Sequence, residues 1–295
     1  MAEQRLWQAV LSREQWIVAA IMALAIGLAW VSLFSMGMPA ARSDMAPMPG
    51  MQVPYLSESW TASYAAMAFV MWTIMMVAMM LPSATPMILL YARVAGQASE
   101  SSALPPTLLF AATYLVLWTV FALLATLAQW TLSHFQLLSD STMAIGNNRI
   151  GGALLIAAGA YQLTGLKRVC LDNCRSPFFF LTAHWRPGVL GPLKLGLRHG
   201  VYCIGCCWLL MALLFFGGVM NLTWVAAIGA VVLAEKVARL GPFLGQIVGG
   251  MAILAGTALV IAPNANIAVT TGSGIEPVHK RVAASTQSPP NWRMQ

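Results

Sequence analysis

"LLFAATYLVLWTVFALLATLAQW" fills residues 108–130 and contains no acid and no base. A helix needs roughly 20 apolar residues, at ~1.5 Å each, to cross the ~30 Å hydrocarbon core of a bilayer. This stretch is long enough, and its pattern recurs along the chain. Similar segments run from about Trp16 to Phe34, Trp60 to Leu81, Ile150 to Leu166, Leu195 to Phe216, Leu222 to Ala238 and Phe243 to Ile261. Together they predict an all-α, polytopic transmembrane bundle of about seven helices. The segment at 150–166 is short and rich in Gly and Ala. The one at 222–238 is ended early by Glu235 and Lys236, which read as a snorkelling helix end with a salt bridge.

Composition agrees. Of 295 residues, 59% are hydrophobic and 8% are charged, against roughly 25% charged in soluble domains. The net charge of +7 is a topology signal first, because basic residues mark cytoplasmic loops. With the N-terminus inside, Arg5, Arg13, Arg93, Lys167, Arg168, Arg175, Arg186, Lys194, Arg198, Lys236 and Arg239 fall on the inner side. Arg42, Arg149 and three bases of the C-terminal tail fall outside. The expected location is the inner (cytoplasmic) membrane, with the N-terminus cytoplasmic and the C-terminus outside. The lipid bilayer is the first partner. Bases do not interleave with aromatics along a soluble face, so no nucleic acid is expected.

The domain reading is a cytoplasmic N-terminal segment at 1–15, a transmembrane helical domain at 16–262 and a disordered polar tail at 263–295. The first apolar run exceeds a signal-peptide h-region, so it is read as an uncleaved helix. "PFFFLTAHW" (177–185) is too short to span and reads as interfacial.

Sulfur carries the chemistry. The chain has 19 methionines and five cysteines, the latter confined to residues 170–207. Met36, Met38, Met45, Met48 and Met51 repeat at short spacing in a loop broken by Pro, Gly and Ala. Thioether sulfur is a soft donor that suits Cu(I). Met45, Met48 and Met51 are therefore candidate entry ligands on the outer side. Met67, Met71, Met75 and Met79 recur every four residues, and at about 100° per residue they form a stripe on one helix face. Gap-filling between helices accounts for such a stripe equally well. Pro82 and Pro86 then predict a helix break, at a place enclosed by protein because freed carbonyls tolerate no lipid.

"VYCIGCCWLLM" (201–211) adds the thiols. His199, Cys203, Cys207 and Met211 are spaced by four, and Cys206 falls beside Cys203. Cys206 and Cys207 point about 100° apart, which argues against both holding one ion. Cys170 and Cys174 lie one turn apart in the basic loop 167–194, with His184 within reach if the segment folds back. Cysteine also packs as a small hydrophobe, and that reading stays open.

The segments "MWTIMMVAMMLPSATPMILLYARV" (71–94), "LKRVCLDNCRSP" (166–177) and "GLRHGVYCIGCCWLLM" (196–211), followed by "AEK" (234–236), together resemble a bacterial family of uncharacterised, predicted metal-binding integral membrane proteins. The resemblance covers roughly residues 15 to 262. It implies a helical membrane fold and metal binding, and no particular reaction.

The functional expectation is a membrane protein that handles a soft ion, Cu(I) first. The ion is captured at the methionine loop, passed along Met67–Met79 and held at His199, Cys203, Cys207 and Met211, with Cys206 a further candidate ligand beside Cys203. Cys170 and Cys174 form an inner station, and a periplasmic metal-binding partner fits the outer end. The rivals are a thiol–disulfide redox or cofactor-binding protein and a non-catalytic assembly subunit. No nucleotide-binding motif is present, and the residues do not decide whether the chain is an enzyme.

Overall fold

The computed structural model describes residues 13–41, 60–98, 102–139, 143–186, 188 and 190–261. Met45, Met48, Met51 and the tail 263–295 lie outside the described residues. Within them the chain is all-helical, with a single isolated bridge between Leu138 and Ile145.

The helices are α1 (Arg13–Ala41), α2 (Ala62–Ala98), α3 (Leu104–His134), α4 (Asn148–Gln162), α5 (Gly165–Arg175), α6 (Pro177–His184), α7 (Leu190–Ala212), α8 (Leu214–Gly217), α9 (Leu222–Val237) and α10 (Gly241–Ile261). Among the described residues, five segments are long and apolar enough to cross a membrane. They are Arg13–Met36, Ala62–Gln97, Leu104–His134, Leu190–Gly217 and Gly241–Ile261. The seven-span count is corrected accordingly. α4 and α9 have 15 and 16 residues, which at ~1.5 Å each reach less than ~25 Å, short of the ~30 Å core. Asn147 caps the start of α4 by accepting from the amides of Arg149 and Ile150, and Asn221 caps α9 by accepting from that of Trp224. Gly218 (φ 92°) turns the chain between α8 and α9 in a conformation that other residues rarely adopt.

α2 also departs from expectation. It runs unbroken through Pro82 and Pro86. Proline removes a donor and crowds the preceding turn, and here hydroxyls join the carbonyls nearby. Ser83 donates to Met80 O (2.9 Å), Thr85 to Leu81 O (2.8 Å) and Tyr114 to Met80 O (3.3 Å). Met80, Leu81, Ala84 and Met87 are buried, so this turn is enclosed by protein as read from the sequence.

α2 packs between α1 and α3, α3 packs on α7, α5 crosses α7, and α9 lies against α2. α4 pairs with α10. Glu14 of α1 ties the start of α3, accepting from Ser102 Oγ (2.6 Å) and from Ala103 N (2.9 Å). Trp72 of α2 donates to Gln129 of α3 (2.6 Å). Large apolar side chains such as Leu28, Val31, Val116, Leu124 and Leu254 face outward, as a lipid-facing surface requires. On α6, Phe178 and Phe179 are exposed while Phe180 and Leu181 are buried, so the short helix packs by one side only.

Candidate metal centre

Three helices bring the sulfurs together. Cys203, Cys206 and Cys207 of α7 are all buried. The Cys207 thiol donates to the Cys203 carbonyl (2.9 Å) and lies 3.8 Å from Met80 Sδ of α2. The Cys206 thiol donates to the same carbonyl (3.1 Å). α5 supplies Cys174, which is half-buried against the same core and lies close to Cys203 and Cys206. Cys170, one turn earlier, rests against Gly205, where a Cβ would stand 2.8 Å from its sulfur. Only glycine lets α5 approach α7 this closely. The separate inner station expected at Cys170 and Cys174 is thus drawn into the same cluster as α7, because α5 crosses α7 instead of forming a free loop. His184 does not join it. Its Nδ1 bonds to the Phe180 carbonyl (2.9 Å).

A cation and a phenol complete the cluster. Lys236 of α9 places Nζ 2.9 Å from Cys203 Sγ and 3.2 Å from Ser83 Oγ. Tyr114 OH lies 3.1 Å from the same sulfur. Lys236 and Glu235 are buried, which corrects their reading as a snorkelling end. Glu235 is instead held by Lys167 Nζ (2.6 Å) and Gln162 Nε2 (2.8 Å), and Arg175 donates to its carbonyl. The two neighbours therefore do different work. Glu235 belongs to a buried ion pair that joins α9 to α4 and α5, while Lys236 has no carboxylate partner among the described residues and turns to a sulfur.

His199 is buried one turn before Cys203, among the rings of Phe110, Tyr114 and Phe180. Among the described residues its Nδ1 has no hydrogen-bond partner. A buried imidazole nitrogen without a partner carries a desolvation penalty of ~1–3 kcal/mol, and a ligand would relieve it. Met211 is buried further along α7.

The methionine stripe splits. Met75 and Met79 are buried with Met76 and Met80, Met71 is half-buried, and Met67 is exposed. Met79 packs against Gly229 of α9. At the other end of α7 a cavity of about 780 Å³ is lined by His184, Arg186, Lys194 and Arg198. It lies apart from the sulfurs.

Sequence reasoning missed Tyr114 and the role of Lys236. Tyr114 gave no signal within an apolar run. Lys236 did, as an ionisable side chain inside an apolar segment, the usual mark of function in membranes.

All five cysteines are unpaired. Among the described residues no three His, Cys, Asp or Glu side chains are grouped so as to hold a metal ion. The sulfur contacts are pairwise, and they include a thioether. That suits an ion content with few soft donors and not one that demands a full tetrahedral set of thiolates and imidazoles.

Comparison with known proteins bears on the same residues. Residues 69–259 match the model of the PpoB2 family, described as copper chaperone, and the chain belongs to that family. No curated protein and no solved structure matches.

Proposed function

We propose that this chain is an integral membrane carrier of Cu(I), with the ion as cargo. Thioethers receive it near the outer end, and the thiol cluster of Cys174, Cys203, Cys206 and Cys207, with Met80, holds it before release. The observation that carries this reading is the convergence of three buried thiols, the half-buried Cys174 and a thioether from α2, α5 and α7 beside a buried lysine. The family description supports it.

The chemistry follows from charge. A Cu(I) ion bound by two thiolates carries one net negative charge, which is costly in a low-dielectric surrounding. The Lys236 ammonium beside Cys203 brings that total to zero. Tyr114 OH and Ser83 Oγ keep Lys236 and Cys203 oriented. Binding to a thiol releases its proton, and transfer between sulfurs exchanges ligands without electron transfer. Met75, Met79 and Met80 offer a buried path of neutral donors toward Cys207. The location is the inner membrane with the N-terminus inside, and a periplasmic metal-binding protein gives or takes the ion.

Purified protein loaded with Cu(I) under reductant tests the reading. Copper per chain and free thiols are counted together. The expected result is bound copper in the unmodified protein and its loss in Cys203→Ser, with the helical fold retained. Five free thiols and no copper overturn the proposal. A Cys203–Cys206 disulfide that appears under oxidant, without copper binding, favours the redox reading instead.

A further inference from the structure

A second group of sulfurs lies outside the thiol cluster. Met36 of α1, Met71 and Met75 of α2, and Met220 of the turn before α9 line one small cavity with Leu33 and Val225. Its volume is about 20 Å³. A cavity needs roughly 10–15 Å³ to accept a single water, so this one has room for one particle of that size. A bare Cu(I) ion is smaller than water and fits.

The lining selects its occupant. All eight lining residues are Met, Leu or Val. A water molecule needs two to four polar partners, and the side chains here offer only thioethers. A hard cation such as Mg or Ca finds no oxygen ligand, and a thioether gives it little. Cu(I) and its redox-inert analogue Ag(I) are the ions that thioether donors serve.

Packing alone explains the arrangement poorly. Methionine is the residue that fills irregular gaps by rotating its three side-chain bonds. Where four of them converge, a void is what their flexibility ordinarily removes. Two of the four are also open to the surroundings, Met36 at 41% and Met220 at 37% exposed, while Met75 is at 1%. The cavity thus has an accessible side and a buried side. Met75 continues along α2 to Met79 and Met80, and Met80 touches Cys207.

We infer that Met36, Met71, Met75 and Met220 form a thioether vestibule that binds one monovalent soft ion, Cu(I) or Ag(I), at the mouth of the path to the thiols. The inference rests on the Cu(I)-carrier reading for the ion's destination, and on the cavity alone for the site itself. It shifts the entry ligands from a run within one loop to residues of three separate segments. Met220 has no place in any methionine repeat of the sequence, and only the fold brings it beside Met71.

Methyl NMR of the full chain in detergent, with ¹³C-methyl methionine and Ag(I) as the probe, tests the site. Assignment uses single Met→Leu variants, which keep volume and apolarity. The expected result is that Ag(I) shifts the methyl resonances of Met36, Met71, Met75 and Met220, while Met67, exposed on the same helix, stays in place. Met71→Leu combined with Met220→Leu should remove that response at Met36 and lower bound Ag(I) by one equivalent. Resonances that stay fixed while the thiols titrate overturn the vestibule and leave the carrier reading intact. The reverse outcome, shifted methyls with thiols that never load, keeps the vestibule and overturns the carrier reading. A shift of Met67 equal to the other four signals non-specific binding and also overturns the site.

Discussion

Where α4 meets α10 the backbones touch. Where α7 faces α2 and α9 they are kept apart by Met80, Cys203 and Lys236, although toward α3 its Gly196 also closes on the Phe110 carbonyl. A Cβ on Gly152 would stand 2.7 Å from the Gly256 carbonyl, and one on Gly159 would run into that of Gly249. The glycines recur seven residues apart on both helices, 152 and 159 facing 256 and 249. Such contacts gain by dispersion at close range, which is how helices associate where lipid removes the hydrophobic drive. The other region pays for its polar groups with desolvation and recovers this only through their mutual contacts. One interface has a single way to fit. The other holds side chains with more than one partner, which is what cargo exchange between sulfurs requires.

Glu235 joins the two regions, and its replacement gives the largest expected effect. Glu235→Gln leaves the Lys167 ammonium buried without its carboxylate. Breaking a buried pair on one side costs roughly 3–5 kcal/mol. Unfolding in a denaturing detergent titration should show a loss of that order, together with poor recovery of monodisperse protein. A change below about 1 kcal/mol would mean that water reaches Lys167 and that the junction is not dry.

Next comes the glycine face. Gly159→Ala places a methyl against a backbone carbonyl that cannot rotate away. Overpacking of this kind costs typically 1–3 kcal/mol. Gly250, on the same helix as Gly249, has open space around it, so Gly250→Ala is the matched control and should cost nothing from contact. Copper bound per folded chain should be unchanged in both. A fall in copper that tracks the Gly159 change would show that the two regions are not independent.

Much of this was legible in the sequence, but unevenly. Long apolar runs such as 108–130 announce themselves because the bilayer imposes one length on every span. α4 and α9 are apolar too, yet they stop short, and hydropathy does not say where a helix ends against protein. The face carrying His199, Cys203, Cys207 and Met211 was readable from a period of four, and all four residues are buried. Cys174 joining Cys203 was not, since it depends on how α5 crosses α7 over Gly205. Nor was the separation of Glu235 from Lys236. Adjacent residues on a helix point about 100° apart, so two charges that look like a pair in the sequence face different neighbours in the fold.

Lys236→Met carries the smallest expected effect on stability and the sharpest one on function. The side chain keeps its length and loses its charge. Cys203 then remains as a neutral thiol, and Tyr114 OH still has that sulfur and the Met80 carbonyl as partners. With the lysine gone and the thiol neutral, no buried charge is left unpaired, so the unfolding transition should move by less than about 1 kcal/mol. Copper binding should respond differently. Without the ammonium, a Cu(I) ion held by two thiolates leaves one uncompensated negative charge in a buried surrounding, and the weaker affinity should reach tenfold or more, ~1.4 kcal/mol or above. Lys236→Arg separates charge from shape, since it keeps the cation and changes the donor geometry. It should retain more copper than Lys236→Met. Equal copper in all three proteins would place the charge balance elsewhere. A large loss of stability in Lys236→Met would make the lysine a structural strut like Lys167, and the contrast between the two regions would fail at the residue on which it depends most.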